Sequence, residues 1–154
     1  MIKPIIQKIY DEMITGVGPN SSYTDNKIEN VYINLPATVS GNRFLAVEYG
    51  NKSAGDYEIG QGLAFTYTYD ISIIIGVKHS DKLSALELLD TLEKRVLKQL
   101  SASNVTSVED TLDQITERVL TLKLSGAGYE DLFKESDLAY GIRLNLQVQT
   151  QLQV

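Results

Sequence analysis

The most regular stretch of the chain is residues 63–77, with the sequence LAFTYTYDISIIIGV. All odd positions in it are apolar, whereas the even positions are small or polar apart from Ile74. Because successive side chains of a strand point to opposite faces, alternation kept over 15 residues predicts one long β-strand. One face of this strand should pack against a core, and the other should be more solvated.

A second alternating segment closes the chain, from Tyr140 to Val154. At about 3.3 Å per residue such a strand would span roughly 50 Å, which a small single domain has difficulty pairing in full. Its polar positions carry amides in place of the usual charges, and an uncharged hydrogen-bonding face suits a subunit contact. The alternative is an ordinary polar surface strand. The candidate intersubunit contacts in this segment are Arg143, Asn145, Gln147 and Gln149.

Two segments have the period of an amphipathic helix. The first lies at the N-terminus, where one helical face carries Ile2, Ile5, Ile6, Ile9 and Met13. The second runs from Lys82 to about Leu100, with a leucine-rich stripe on one side and charged residues on the other. Ser80 or Asp81 can cap its N-terminus.

Shorter signals fill the region before the first long strand. Val31–Leu35 and Phe44–Tyr49 are two short alternating runs, and together they predict a hairpin. Gly50–Gly62 is rich in Gly, Asn, Asp and Ser, which predicts a long loop or an extended arm. Its apolar residues Tyr57 and Ile59 are candidate anchors for a neighbouring subunit.

The segment after the central helix is less regular. Val105–Glu117 fits a helical face and a strand equally well, so both interpretations stay open. Arg118–Ser125 alternates and predicts a strand that ends at the glycines of residues 126–128. Tyr129–Asp137 predicts an acidic turn or short helix. Residues 1–154 thus predict a single α+β domain, a mainly antiparallel sheet with long strands and both helices packed on one face.

The composition excludes several classes of function. The chain has 154 residues, 14 basic and 20 acidic side chains, one histidine and no cysteine. The acidic excess is spread evenly, because each half, divided after Val77, carries a formal charge of -3. Binding that neutralises nucleic-acid phosphates needs clustered Lys and Arg, so we expect DNA not to adhere to this surface. Without cysteine, thiolate zinc sites, iron–sulfur clusters and disulfides are excluded.

The chain has no pattern of a targeting or membrane segment. The N-terminal residues lack a signal-peptide apolar region with a cleavage site, and the longest apolar stretch, Ile71–Val77, is interrupted by Ser72 and Gly76. We therefore expect a protein made in the cytosol that makes no contact with a membrane. The absence of cysteine agrees with a reducing compartment.

Catalytic patterns are weak in this sequence. His79, Ser80 and Asp81 are consecutive, whereas a triad is a spatial arrangement that three consecutive residues seldom supply; helix capping is the simpler interpretation. The acidic pairs at residues 11–12, 109–110 and 130–131 lie in polar segments, where nothing would raise a carboxyl pKa. We predict no catalytic residue.

Ligand-binding patterns are equally weak. Gly60-Gln61-Gly62 precedes a strand, which is the wrong context for a phosphate-binding loop. The aromatic residues of the first long strand could form a platform for single-stranded nucleic acid, yet basic neighbours are missing and core packing is favoured. Four acidic residues could surround a divalent cation but lack the calcium-loop pattern: Glu130, Asp131, Glu135 and Asp137. We therefore predict neither a metal nor a cofactor.

The order of elements carries a family resemblance. After the N-terminal helix and the predicted hairpin, the strand FTYTYDISIII (residues 65–75) leads into the helix SALELLDTL (residues 84–92), and further strands end the chain. In this order the chain resembles the tail terminator, or tail completion, proteins of long-tailed bacteriophages. The resemblance implies an α+β domain, six copies of which form a ring on the head-proximal end of the tail tube. Such a ring ends tube growth and meets the head connector.

The leading hypothesis from the sequence is therefore a non-enzymatic virion protein, assembled in the host cytoplasm as a homo-hexameric ring. Its expected partners are the tail tube protein, a sheath protein in a contractile tail, and the connector or neck proteins, with DNA passing through the ring. Another neck, head-completion or tube-related protein is the nearest alternative. A small α+β ligand-binding domain or enzyme that uses Asp70 or His79 is the alternative from a different class.

Overall fold

The computed structural model describes residues 1–55, 64–134 and 138–153. Two α-helices and six strands make up the regular structure of this part of the chain. In sequence order the elements are α1 (Ile2–Gly16), β1 (Asn30–Ile33), β2 (Arg43–Ala54), β3 (Ala64–Val77), α2 (Lys82–Ala102), a 3-10 turn (Val105–Ser107), β4 (Glu109–Leu112), β5 (Ile115–Leu132) and β6 (Ala139–Gln153).

The strands form one mixed sheet in the order β1-β2-β3-β6-β5-β4. All neighbours are antiparallel except β1 and β2, which are parallel. The two strands with the strongest alternation, β3 and β6, lie next to each other at the centre and pair from Ala64 opposite Gln153 to Val77 opposite Tyr140. The predicted α+β class and the two long strands are confirmed.

Both helices pack on one face of the sheet, which we call the helix face. The odd positions of β3 and the even positions of β6 point to this face and are buried there with the apolar sides of α1 and α2. The helical residues in this core include Ile5, Ile9, Leu89, Leu92 and Val96. Asp81 caps α2, because its carboxylate accepts hydrogen bonds from the Ser84 backbone N–H and hydroxyl, as the sequence predicted.

The other side of the sheet, the opposite face, has a small apolar cluster at one end. Phe44, Ile74, Leu132 and Ala139 are buried there, and the Phe133 ring lies against Phe44 with centroids 5.9 Å apart. This cluster explains why Ile74 breaks the alternation of β3. Leu35 and Val39, from the connection between β1 and β2, pack on the same cluster.

The predicted hairpin of β1 and β2 is wrong, because the two strands are parallel and a hairpin is antiparallel. The two strands are neighbours, but Asn30 to Ile33 run parallel to Phe44 to Val47. Nine residues connect β1 to β2 and carry the chain back across the opposite face. In this connection Leu35 and Val39 bury apolar area that a tight turn would leave exposed. Asn34 begins this return with φ of 61°, a conformation that Asn tolerates better than most residues.

The glycines of residues 126–128 do not end a strand. β5 continues to Leu132, so Tyr129–Leu132 is strand and the predicted turn or helix is wrong there. Gly126 and Gly128 lie in register opposite Asn145 and Arg143, and the chain takes up the irregularity in a bulge between Leu124 and Gly126. The long partner β6 supplies hydrogen bonds that outweigh the weak strand preference of glycine.

The segment that the sequence left open, Val105–Glu117, contains both kinds of structure. A 3-10 turn is followed by β4, a two-residue turn and the start of β5. Asp113 and Gln114 form the turn with φ of 52° and 67°, the left-handed conformation of a tight hairpin. Leu112 and Ile115 lie directly opposite each other beside this turn.

The expectation that β6 exceeds what one domain can pair is also wrong. β6 is an inner strand, bonded to β3 from Tyr140 to Gln153 and to β5 from Ala139 to Gln153. The backbone of β6 is therefore paired on both sides, because the flanking strands, of 14 and 18 residues, extend along its 15 residues. Any contact that β6 makes with another protein must use its side chains.

Candidate assembly surface

Arg143 is at the centre of an ion-pair group on the opposite face. Its guanidinium Nη2 lies 3.2 Å from Glu130 Oε1 on β5, and its Nη1 lies 3.4 Å from Glu48 Oε1 on β2. The Nε of Arg143 also donates to both Glu130 oxygens, at 3.2 and 3.3 Å. All three side chains are partly exposed, so each pair contributes at most about 1 kcal/mol. The group nevertheless holds the charged side chains of three strands, β2, β5 and β6, in fixed positions.

Beyond Arg143 the opposite face becomes uncharged along β6. Asn145 accepts a hydrogen bond of 3.2 Å from the Ser72 hydroxyl, while Gln147 and Gln149 follow on the same face. Their neighbours across the strand pairs are Asp70 and Thr68 on β3 and Lys123 and Thr121 on β5. The predicted contact residues of β6 therefore share one continuous amide-rich face.

The two outer strands cover only part of their neighbours. β1 pairs with Phe44 to Val47, and in the described residues β2 continues to Ala54 without a strand on its outer side. At the other edge, β4 pairs with Ile115 to Arg118, and β5 continues to Leu132 beyond the reach of β4. Within residues 1–55, 64–134 and 138–153, the sheet thus has a partly open edge on each side. Such edges are available for pairing with another chain.

An apolar groove lies where the β2 edge opens. Its walls are α1, β1 and β2, its volume is about 420 Å³, and it is lined by Ile2, Lys3, Ile6, Gln7, Ile33 and Tyr49. Ile33 is 43% exposed and Tyr49 is 57% exposed, which is unusual for large apolar side chains in neighbouring strands. We call this surface the edge groove.

The β4–β5 turn carries a second exposed apolar pair. Leu112 is 73% exposed, and its cross-strand partner Ile115 is 36% exposed. Asp113 lies between them in the turn and is also exposed. We call Leu112, Asp113 and Ile115 the hairpin tip. The sequence identified Leu112 and Ile115 only as members of an ambiguous apolar pattern, because their exposure depends on where β4 ends.

A buried polar network lies on the helix face near the start of β5. The Glu117 carboxylate accepts hydrogen bonds from the Tyr69 hydroxyl at 2.7 Å and the Thr150 hydroxyl at 2.6 Å. Burial, together with the negative charge and hydrogen bonding of Glu117, raises the pKa of Tyr69 well above its ordinary value. The sequence did not single out Glu117, since it looks like one more charged residue in a polar run.

The residues of the enzyme alternative do not meet. Asp70 lies in the middle of β3 and His79 follows its end, so at about 3.3 Å per residue they are more than about 20 Å apart. The His79 Nδ1 accepts a hydrogen bond from the Asp81 backbone N–H at 3.0 Å. Hydrogen bonds from Ser84 lower the pKa of Asp81, as expected for a capping carboxylate. This group caps a helix and has no catalytic geometry.

Of the four acidic residues considered for a divalent cation, Glu130 is paired with Arg143, and Glu135 and Asp137 lie outside the described residues. Within residues 1–55, 64–134 and 138–153, no three His, Cys, Asp or Glu residues are grouped as metal ligands. Tyr57 and Ile59 also lie outside the described residues.

The likeness of this chain to known proteins is found among solved structures. No protein-family model matches the chain, and no curated protein matches it. Among solved structures, it is similar to a chain of the virion of a native gene transfer agent particle, with a TM-score of 0.50. The likeness covers 95% of this chain and 93% of that chain. At 13% sequence identity, it is a likeness of fold.

The helices of the described residues were also compared with the length and hydropathy that a membrane requires. None of them is both long enough and apolar enough to cross a bilayer.

Proposed function

We propose that this chain is a structural protein of a phage-like virion. The observation that carries the proposal is the fold shared over nearly the whole of both chains with a component of a gene transfer agent virion. The resemblance noticed in the order of the sequence elements points to the same class of particle.

Within that class, we propose a tail terminator: a homo-hexameric ring on the head-proximal end of the tail tube. The open edges of β2 and β5 support this role, since they lie on opposite sides of one sheet. Contacts between unlike surfaces of identical chains are head-to-tail, and they close into a ring when the rotation allows it. The tube protein, a sheath protein and the head connector would then contact the ring.

The amide-rich face of β6 is the proposed contact surface. Asn145, Gln147 and Gln149 can donate and accept hydrogen bonds without the desolvation cost of a charge, and Arg143 is held in place by its two carboxylates. The even spread of negative charge suits a ring through which DNA passes without specific binding. We assign the protein no enzymatic activity in this role.

Two alternatives remain as competing proposals. A neck, head-completion or tube-related protein would use the same fold and the same kind of contacts at another level of the particle. A small enzyme or ligand-binding domain would need a concave site with converging chemistry at Asp70 or at His79. His79 is instead exposed, and its Nδ1 accepts the Asp81 backbone N–H at the start of α2.

The proposed role is tested by assembly measurements. We expect multi-angle light scattering of the purified chain to give the mass of six copies and electron microscopy to show rings with a central opening. Added to a polymerising tail tube protein, the chain should shorten the tubes in proportion to its concentration. A chain that stays monomeric at high concentration and leaves tube length unchanged would contradict the proposal.

The enzyme alternative has its own control in the same assay. His79→Ala should form rings and shorten tubes as the unmodified chain does, because His79 is exposed at the start of α2. Asp70 is left unchanged, since it lies beside Gln147 on the proposed contact face. Loss of tube capping by His79→Ala with unchanged ring mass would count against a purely structural role.

A further inference from the structure

The edge groove and the hairpin tip are complementary surfaces of the same chain. The edge groove is an open apolar depression lined by Ile33 and Tyr49, whereas the hairpin tip presents Leu112 and Ile115 to solvent. Isolated exposed apolar residues are common, but an open apolar groove and an exposed apolar pair on the same chain together need an explanation. We propose that the hairpin tip of one copy occupies the edge groove of the next copy.

The sizes of the two surfaces are compatible. An apolar cavity of about 150 Å³ is enough to hold a benzene molecule. The edge groove, at about 420 Å³, has room for the Leu112 and Ile115 side chains together. Both belong to a cross-strand pair beside a tight turn, so they enter the groove as one preorganised unit with little loss of backbone entropy.

The charges of the two surfaces are also complementary. Lys3 lines the edge groove and is exposed. The hairpin tip has the exposed Asp113 between its two apolar side chains, whereas Asp110 on the same strand is paired with the amino group of Met1. Opposite charges around an apolar contact select its orientation, and they disfavour groove-to-groove or tip-to-tip pairing.

The open edge of β2 provides further room for a β-hairpin. Past Val47 this strand has no described neighbour on its outer side, and Tyr49 marks where β1 has ended. A strand-bearing element that approaches the groove can therefore lie beside β2 without displacing anything in the described residues.

The contact joins unlike surfaces of identical chains. The hairpin tip belongs to the β4 edge of the sheet and the edge groove to the β1–β2 edge. Such a contact forms a ring when each copy engages two neighbours, and it forms a two-fold dimer when two copies exchange their tips. The mass of six copies expected for the proposed ring selects the first arrangement. This inference deepens the proposed ring and depends on that function for its meaning, although the contact can be tested separately.

Disulfide trapping tests the contact directly, because the chain has no native cysteine. Tyr49→Cys and Leu112→Cys are made as separate proteins, one carrying a tag that changes its mass, and are mixed under mild oxidation. We expect the mixed disulfide to exceed both same-variant disulfides by about tenfold. Leu83→Cys, at a 69% exposed position on α2, replaces Leu112→Cys in the control mixture and should give no such excess. Equal yields of all pairs would overturn the inference.

Substitution by charge provides the second measurement. Leu112→Asp and Ile33→Asp place a charge in the apolar contact, and we expect each to weaken self-association at least about tenfold in sedimentation velocity. Leu83→Asp is the matched control and should leave association unchanged. Circular dichroism and thermal unfolding verify that each variant is folded. A hexameric mass retained by Leu112→Asp would overturn the inference.

The outcomes separate this inference from the proposed function. Rings that cap tubes but give no mixed disulfide would retain the tail-terminator role and reject the hairpin contact. Mixed disulfides in open chains that have no effect on tubes would support the contact and reject the tail-terminator role.

Discussion

The two faces of the central sheet differ in what their alternating residues do. On the helix face, β3 and β6 bury aliphatic side chains against two helices; on the opposite face, apolar packing is confined to the Phe44 cluster and the rest is polar. The same two strands therefore contribute stability on one side and a hydrogen-bonding surface on the other. A change on the helix face should alter folding, and a change on the opposite face should alter assembly.

The largest effect is expected from cavities on the helix face. Leu92 is fully buried in α2, and Leu92→Ala removes its contacts and leaves a cavity, so the free energy of unfolding should fall by about 2–5 kcal/mol in urea denaturation. Gln147→Ala, a truncation on the opposite face, is the matched control and should change stability by less than about 0.5 kcal/mol. Similar losses for the two variants would mean that the faces are not functionally distinct.

A smaller effect is expected where the opposite face is itself packed. Gly76 lies on β3 under the ring of Phe44, and an added Cβ would overlap that ring. Gly76→Ala should therefore cost about 1–3 kcal/mol of unfolding free energy through overpacking. Gly128→Ala, with nothing within 4 Å of the added Cβ, should be nearly neutral. Equal effects would show that Phe44 moves aside freely.

The sequence predicts this fold where local patterns determine an element, and it fails where pairing between distant strands determines it. Alternation in β3 and β6 and the stripe of α2 are local signals, and the structure confirms all three. The parallel direction of β1 depends on Leu35 and Val39 packing across the sheet, and the extension of β5 through Gly128 depends on the length of β6. Neither cause is visible in a local window of sequence.

The candidate surfaces, too, can be predicted only as far as local sequence patterns determine them. The parity of β6 correctly places Asn145, Gln147 and Gln149 on one face, because period two is a property of the strand itself. The edge groove and hairpin tip could not be predicted, since the exposure of Tyr49 and Leu112 follows from where the short strands β1 and β4 stop. Edge positions require the strand order, which the sequence pattern does not specify.

The buried network of Tyr69 and Glu117 predicts a pH-dependent contribution from the helix face. Burial and Glu117 raise the pKa of Tyr69 above the ordinary value near 10, so the folded state holds the phenolic proton more tightly than the unfolded chain does. The resulting stabilisation is complete below about pH 10 and is lost as the pH rises above that value toward the folded-state pKa.

Tyr69→Phe tests this network. The variant leaves the buried Glu117 carboxylate with the Thr150 donor but without the phenol, so the free energy of unfolding should fall by about 1–2 kcal/mol at neutral pH. Between pH 9 and pH 11, a range around the ordinary tyrosine pKa of about 10, the free energy of unfolding should fall less for Tyr69→Phe than for the unmodified chain. Tyr49→Phe, at an exposed position, is the control. Parallel pH curves for all three proteins would contradict this role of Tyr69.

The smallest effect on stability, and the most informative for assembly, is expected at Arg143. Its pairs with Glu48 and Glu130 are partly exposed, so Arg143→Met should lower the free energy of unfolding by less than about 1 kcal/mol in urea denaturation.

If the opposite face is the contact surface, the same variant should weaken ring formation or tube capping about tenfold, because the partner loses a positioned donor and meets two unpaired carboxylates. Lys94→Met, at an exposed position on α2, also removes one positive charge and is the control. Arg143→Met and Lys94→Met change the net charge equally, so a defect confined to Arg143→Met would come from the ion-pair group. Equal assembly by the two variants would leave the amide-rich face without a demonstrated role and would direct attention to the sheet edges.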